Sequence, residues 1–95
     1  MIEREVNVEK YLGTRIKDLG GICLKIPATY LAGIPDRLCL LPGGVLFFAE
    51  LKTTKKKPSK IQVIIHNKLR ALGFEVYVLD SKEEILKTLK RYEQR

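Results

Sequence analysis

The sequence lacks the features of membrane and secreted proteins. No apolar run approaches the roughly 20 residues that a membrane-spanning helix needs. Residues 1–5 (MIERE) do not resemble a signal peptide. Internal repeats, low-complexity segments and long linkers are absent as well. These absences predict a soluble, intracellular protein, and a length of 95 residues predicts a single domain over 1–95.

Cysteine is scarce and stands in no metal-binding pattern. The two cysteines, Cys23 and Cys39, each lie in an apolar stretch, and neither belongs to a CxxC or mixed Cys/His spacing. In an intracellular protein such cysteines stay reduced. We therefore expect two free thiols that belong to the hydrophobic core.

Acidic residues are too few to balance the basic ones. Eighteen Lys and Arg against eleven Asp and Glu give a net charge of +7 and a pI near 9.6. Such an excess favours a polyanionic partner, and nucleic acid is the commonest polyanion. A membrane surface or an acidic protein would satisfy the same charge. The composition therefore favours a negatively charged partner, but it does not indicate whether the protein catalyses a reaction.

Hydrophobic periodicity predicts a small α/β domain. Gly20 and Gly73 favour the ends of the first and second helices, and Ser59 and Ser81 favour the starts of the second and third. The predicted elements are a helix over 6–19, strands over 22–26, 37–41 and 45–51, a helix over 59–72, a strand over 74–79 and a final helix after 81. This order, α-β-β-β-α-β-α, predicts a mixed central sheet of about four strands flanked by helices.

The residues that can carry chemistry lie around a predicted hairpin. With a three-residue Pro-Gly-Gly loop, Leu41 pairs with Val45, and the ladder then places Asp36 opposite Glu50. Two opposed carboxylates repel each other unless a cation lies between them. Two such oxygen ligands, completed by water and a substrate phosphate, suit Mg²⁺ or Mn²⁺. Because side chains alternate along a strand, Lys52 lies on the same face as Glu50, where it can stabilise a charged transition state.

The pattern Pro35-Asp36 followed by Glu50-Leu51-Lys52 resembles the core motif of the PD-(D/E)XK nuclease superfamily. More narrowly, the chain is similar to virus-type replication-repair nuclease (VRR-Nuc) domains over nearly its whole length. The motifs that carry the similarity are 33–38 (GIPDRL), 41–44 (LPGG), 48–52 (FAELK) and 58–62 (PSKIQ). The resemblance implies a small restriction-endonuclease-like fold and a Mg²⁺- or Mn²⁺-dependent DNA endonuclease. It also implies a preference for branched DNA such as four-way (Holliday) junctions.

The resemblance implies two further site residues. An acidic residue of the first helix completes or supports the metal site, and Glu9 matches it by its spacing to Gly20. Glu5 lies one turn earlier and is the alternative. Gln62 matches a glutamine of the family, although a capping box with Ser59 explains a glutamine at this position equally well.

A group of lysines and the single histidine are two further features of the sequence. Lys55, Lys56, Lys57 and Lys60 follow the strand that carries Lys52, and we expect them to contact phosphates more than to form an ordinary solvated loop. His66 is the only histidine. Because it is distant from the motif in the sequence, we expect it on a solvated helix face and not at a metal.

The sequence therefore predicts a deoxyribonuclease with Glu9, Asp36, Glu50, Lys52 and Gln62 as catalytic residues. Glu9, Asp36 and Glu50 are the predicted metal ligands. Individually, Asp36 would be an ordinary turn residue and Glu50 with Lys52 an ordinary surface pair. Their joint spacing favours the nuclease.

A functional setting follows from the same resemblance. Stand-alone family members suggest a phage or mobile-element protein that acts in DNA repair, replication or recombination, in the cytoplasm of a bacterial host. One active centre cuts one strand, so we expect a homodimer. The alternatives are a non-catalytic nucleic-acid-binding module on the same fold and a basic protein that binds an acidic partner.

Overall fold

A computed structural model describes residues 5–52 and 56–93, with side chains for 7–52 and 56–93. The elements are α1 (Glu5–Asp18), β1 (Ile22–Lys25), β2 (Arg37–Leu41), β3 (Val45–Leu51), α2 (Lys60–Ala71), β4 (Val76–Leu79) and α3 (Lys82–Glu93). All seven predicted elements are present in the predicted order. No boundary differs by more than two residues: β4 begins two residues late, β1 stops one residue early, and the ends of α1 and α2 differ by one residue.

The sheet is mixed, with strand order β1-β2-β3-β4. β1 and β3 run antiparallel to β2, whereas β3 and β4 are parallel and joined through α2. The predicted hairpin register is confirmed, because Leu41 lies opposite Val45. Gly43 and Gly44 have φ angles of 84° and 74° in the loop. Those angles cost a residue with a Cβ conformational energy, which explains the glycines of this turn.

Helices cover the two faces of the sheet unequally. α1 and α3 pack on one face, where the core comprises Val8, Leu12, Ile16, Cys39, Phe47, Ala49, Leu51, Leu79, Ile85 and Leu89. α2 lies on the opposite face and buries Ile65 and His66. Glu50 alternates with the core residues of β3 and is therefore directed towards α2. This arrangement places the polar end of β3 beneath a helix.

The apolar run over 45–49 is typical of a strand covered on both faces, but β3 is buried only in part. Phe47, Ala49 and Leu51 are fully buried, but Leu46 on the α2 face remains 36% exposed. A single helix cannot cover a four-stranded sheet, so the α2 face is buried only near Glu50 and β4. The apolar run of β3 therefore predicts its central position correctly and its burial only in part.

The loop before β2 is held against the start of α2 by a glycine. Gly33 has a φ of 87°, and a Cβ at this position would lie 2.6 Å from the carbonyl oxygen of Ile61. Only glycine fits both the angle and this close approach. The contact fixes the path of the chain into Asp36, three residues later, relative to the helix that carries Gln62. The glycine of the GIPD motif is therefore required by packing.

The two cysteines are free thiols at the core, as the sequence predicts. Cys23 and Cys39 are both free, and their Sγ atoms lie 3.9 Å apart across β1 and β2. Cys39 is buried, and Cys23 packs half-buried against the core. Within 5–52 and 56–93, no helix is long and apolar enough to cross a membrane.

Candidate active site

Asp36 and Glu50 meet at the ends of β2 and β3. Arg37 lies opposite Ala49, and continuing this register places Asp36 opposite Glu50. The Asp36 carboxylate oxygens accept the backbone N–H of Leu51 at 3.3 and 3.4 Å, which ties this side chain to β3. Asp36 also acts electrostatically on Glu50 as a like charge. The predicted pair of facing carboxylates is therefore present.

Glu50 is a buried carboxylate whose two oxygens have different surroundings. Its Oε2 accepts a hydrogen bond from Gln62 Nε2 at 3.2 Å and lies 3.5 Å from the ammonium of Lys52. Its Oε1 is buried and has no hydrogen-bond partner among the described residues. The residue as a whole is 3% exposed. A carboxylate oxygen in this situation is costly unless a further group satisfies it.

The environment makes Glu50 a weak acid. Burial and the nearby charge of Asp36 raise its pKa from 4.5 to about 7, although Lys52 acts in the opposite direction. Burial is the larger of the two causes. The ammonium of Lys52 therefore does not fully compensate the negative charge of the two carboxylates. A divalent ion bound by both carboxylates would supply the missing compensation.

Gln62 caps α2 and also contacts Glu50, so the two explanations that the sequence offered for this residue do not exclude each other. Its Oε1 accepts the backbone N–H of Ser59 at 2.8 Å, and its backbone N–H donates to Ser59 Oγ, which completes the capping box. The same side chain donates from Nε2 to Glu50. The amide group has one acceptor and one donor end, so capping and site contact are compatible. The helix cap thereby orients the glutamine towards the carboxylate.

The prediction that His66 lies on a solvated helix face was wrong. The residue is 1% exposed and lies on the inner face of α2, with Nε2 3.7 Å from Glu50 Oε1. Burial and the positive charges of Arg70 and Lys52 lower its pKa, which favours the neutral imidazole. Distance along the sequence was a poor guide because α2 folds back over β3. The spacing from Gln62 carried the missed signal, since residues i and i+4 share one helix face.

Glu9 is connected to the site through Arg37, a buried residue that the sequence did not single out. The guanidinium pairs with Glu9 at 2.8 Å through Nη2, and its Nη1 donates to the Asp36 carbonyl oxygen at 2.9 Å. Nη1 also lies 3.6 Å from Asp36 Oδ1. Glu9 therefore contacts the neighbour of Asp36 and supports it indirectly. The side chain of Glu5 lies outside the described residues.

This geometry leads to a prediction that separates the two helix acids. Glu9→Gln is expected to reduce activity by about fivefold, because a partly exposed ion pair that acts only through Arg37 contributes about 1 kcal/mol. Glu5→Gln should change activity little. Single-turnover cleavage rates of both variants, compared at matched thermal stability, measure the difference. A larger loss for Glu5→Gln would assign the supporting role to the earlier helical turn.

The basic residues that follow β3 lie beside this site in the sequence. Lys56 and Lys57 are exposed in the connection to α2, and Lys60 is exposed at the first position of that helix. Lys55 lies outside the described residues. No acidic side chain occurs in the first turn of α2, so nothing in that turn offsets the positive end of its dipole.

The donor set fits a hard divalent cation. Asp36 and Glu50 supply carboxylate oxygens, and Glu50 Oε1 is a buried acceptor without a donor in the described parts of the chain. Over the same parts, no three His, Cys, Asp or Glu side chains are grouped closely enough to hold a metal alone. An ion held by two protein carboxylates keeps its other positions for water and phosphate, which is typical of Mg²⁺ sites in phosphoryl chemistry.

Comparison with known proteins places this site in context. A scan against models of protein families finds no match. The chain is 41% identical over 80 residues to "Putative nuclease p44" of Acyrthosiphon pisum secondary endosymbiont phage 1, covering 84% of this chain and 86% of that protein. A solved structure described as a VRR_NUC domain matches with a TM-score of 0.86 and 35% identity, covering 93% of this chain and 96% of that one. Both similarities extend over most of the chain.

Proposed function

The chain belongs to the VRR-Nuc domain family and is a nuclease, and we propose that it hydrolyses DNA phosphodiester bonds with a bound Mg²⁺ or Mn²⁺ ion. One observation carries this proposal: the buried Oε1 of Glu50 lacks a hydrogen-bond partner among the described residues, and Glu50 lies opposite a second carboxylate, Asp36. A structural carboxylate would have its hydrogen bonds satisfied within the fold. An acceptor left open beside a second carboxylate supports a ligand site.

Each side chain then has a distinct part in the reaction. Asp36 and Glu50 would hold the ion, which supplies charge neutralisation at the phosphate and a more acidic bound water. Lys52, 20% exposed, reaches both Glu50 and solvent, so its ammonium can stabilise negative charge that develops on the phosphate. Gln62 keeps the Glu50 carboxylate in place. Glu9 orients Arg37, which in turn supports Asp36.

DNA is the proposed substrate, and branched or four-way junction DNA is its proposed form. A net charge of +7 favours a phosphate backbone, and a relative from a phage is named as a nuclease. A phage protein of this kind would act in the cytoplasm of a bacterial host. The compact domain has a radius of gyration of 12.7 Å, which leaves little surface for a branched duplex. A symmetric homodimer would provide two matched centres and a larger basic surface.

The test is a cleavage panel with linear, single-stranded, flapped and cruciform-plasmid DNA. Each substrate is incubated with Mg²⁺, Mn²⁺ or EDTA. We expect metal-dependent cutting, and we expect the cruciform plasmid to become linear through paired nicks. Analytical sedimentation gives the oligomeric state. A protein that sediments as a monomer and produces only nicked circles would exclude the proposed homodimer. DNA binding without cutting under every condition would favour the non-catalytic module, and neither binding nor cutting would favour an acidic protein partner.

The basic residues after β3 yield a separate prediction about DNA affinity. Replacing Lys55, Lys56, Lys57 and Lys60 by Ala is expected to weaken binding to all DNA sequences alike. For each lost phosphate contact, the slope of log K against the logarithm of the salt concentration should become less steep by about 1. Fluorescence anisotropy over a range of KCl concentrations measures both effects.

A charge-matched variant provides the control for this prediction. Lys10, Lys17, Lys87 and Lys90 are exposed on α1 and α3, which cover the other face of the sheet. Their replacement by Ala removes the same net charge away from Glu50. We expect a much smaller change in salt slope for this control. Equal slopes in the two quadruple variants would show that only net charge matters.

A further inference from the structure

The geometry points to His66 as a positioning residue that donates from Nε2–H to Glu50 Oε1 and so fixes the orientation of the metal-binding carboxylate. This inference rests on the proposed metal site and adds a residue to it. It assigns no direct contact with metal or DNA to His66. The role is to hold Glu50, and its effect should therefore be visible in metal affinity.

The first argument is the burial of two polar atoms that face each other. His66 Nε2 and Glu50 Oε1 both belong to the few buried side-chain atoms in the described structure that have no hydrogen-bond partner. They lie 3.7 Å apart, which is too long for a hydrogen bond. A shift of less than 1 Å would give His66 Nε2 an acceptor, and Oε1 would keep a second lone pair for the ion. Without this contact the imidazole nitrogen stays buried and unsatisfied, which costs the fold free energy.

The second argument is the distribution of donors around the carboxylate. Gln62 and Lys52 approach Oε2, whereas His66 approaches Oε1. Donors on one oxygen restrict the rotation of the carboxylate about its last bond only in part. A donor on the second oxygen restricts it further. Ligating carboxylates in metal sites are held by such outer hydrogen bonds, and losing one weakens metal binding by about 10- to 100-fold.

The third argument is the position of His66 on α2. Gln62 and His66 are one turn apart on the helix face that lies over Glu50, and the capping box at Ser59 fixes the start of that helix. Both side chains therefore extend from the same face of α2 towards Glu50. A hydrophobic residue would fill the same buried volume more cheaply than an imidazole. The polar group at this point is explained by what it contacts.

Three variants test the role of His66 by calorimetric titration with Mn²⁺ in the absence of DNA. His66→Phe keeps the ring and removes the donor, and it should weaken Mn²⁺ binding by about 10- to 100-fold. His66→Gln places an amide N–H near the position of Nε2 and should restore the affinity to within a few-fold of the wild type. His66→Asn is too short to reach Oε1 and should behave like His66→Phe. If His66→Phe does not fold, the comparison of His66→Gln with His66→Asn still tests whether a donor to Oε1 is needed.

The outcomes distinguish this inference from the proposed function. A residue that only stabilises the core would lower the unfolding temperature of His66→Phe and leave the Mn²⁺ affinity of the folded protein unchanged, which would overturn the inference. The same holds if the Gln and Asn variants bind Mn²⁺ equally well. A wild-type protein that neither binds Mn²⁺ nor cuts DNA would overturn the proposed function together with this inference.

Discussion

Glu50→Gln is expected to abolish DNA cleavage and, at the same time, to stabilise the metal-free protein above pH 7. Losing a charged metal ligand should reduce the rate by about a thousandfold or more, because a metal ion contributes several kcal/mol to such reactions. Asp36→Ala should cause a comparable loss. The gain in stability has a different origin, namely the removal of a buried charge that the fold does not compensate.

The sign of the stability change follows from the pKa of Glu50. In the folded protein the pKa is about 7, compared with an ordinary value of 4.5. Between these two values the folded chain keeps a proton that the unfolded chain has lost, so rising pH destabilises the fold. The difference between 7 and 4.5, at ~1.4 kcal/mol per pH unit, corresponds to about 3 kcal/mol. Above pH 7 this contribution is constant.

Urea unfolding in EDTA at several pH values measures this effect. The stability gap between Glu50→Gln and the wild type should be near zero at pH 4.5 and should reach its maximum above pH 7. Glu83→Gln, on the exposed side of α3, is the matched control and should show no such gap. A Glu50→Gln variant that is no more stable at pH 8 than the wild type would show that the fold already compensates the carboxylate.

Lys52→Met is expected to separate catalysis from metal binding. The substitution keeps the apolar stem and removes the ammonium that lies 3.5 Å from Glu50 Oε2. Losing one electrostatic contact to the transition state typically costs about 10²–10³ in rate. Asp36 and Glu50 remain, so Mn²⁺ affinity should stay within about tenfold of the wild type, a change of ~1.4 kcal/mol. Single-turnover rates at saturating DNA and Mn²⁺ titrations measure the two quantities.

The control for this substitution is Lys90→Met, which removes an exposed lysine from the last turn of α3. It should leave both the cleavage rate and the metal affinity near the wild-type values. If Lys52→Met instead lost metal binding and rate in equal proportion, Lys52 would be a structural partner of Glu50. Its assignment to the transition state would then be withdrawn.

The sequence was a good guide to the fold because local signals and long-range pairing agreed. The PGG loop sets the hairpin register, and that register alone places Asp36 beside Glu50. The capping residues Ser59 and Ser81 mark the helix starts correctly, since each hydroxyl accepts a backbone N–H three residues later. The partial exposure of β3 could not be foreseen, because it depends on how much of one face a single helix covers.

The sequence was a weaker guide to the surroundings of the site. Arg37 was assigned only to a strand, yet its buried guanidinium links Glu9 to Asp36. His66 was placed in solvent because its contact with Glu50 spans 16 positions and depends on the packing of α2 on β3. Local periodicity defines which residues share a helix face, but not which face meets the sheet. Glu9, Gln62 and the charged residues at the strand ends were predictable from the motifs, whereas Arg37 and His66 were not.

The most direct test of the catalytic centre is cleavage of one end-labelled DNA junction by the wild type and by Asp36→Asn. Both proteins are measured in Mg²⁺ and in EDTA, after circular dichroism has shown equal folding. We expect cleavage only by the wild type and only with Mg²⁺, because Asn at position 36 keeps the size of the side chain and removes its charge. Cleavage by Asp36→Asn at the wild-type rate, or cleavage that persists in EDTA, would contradict the proposed centre.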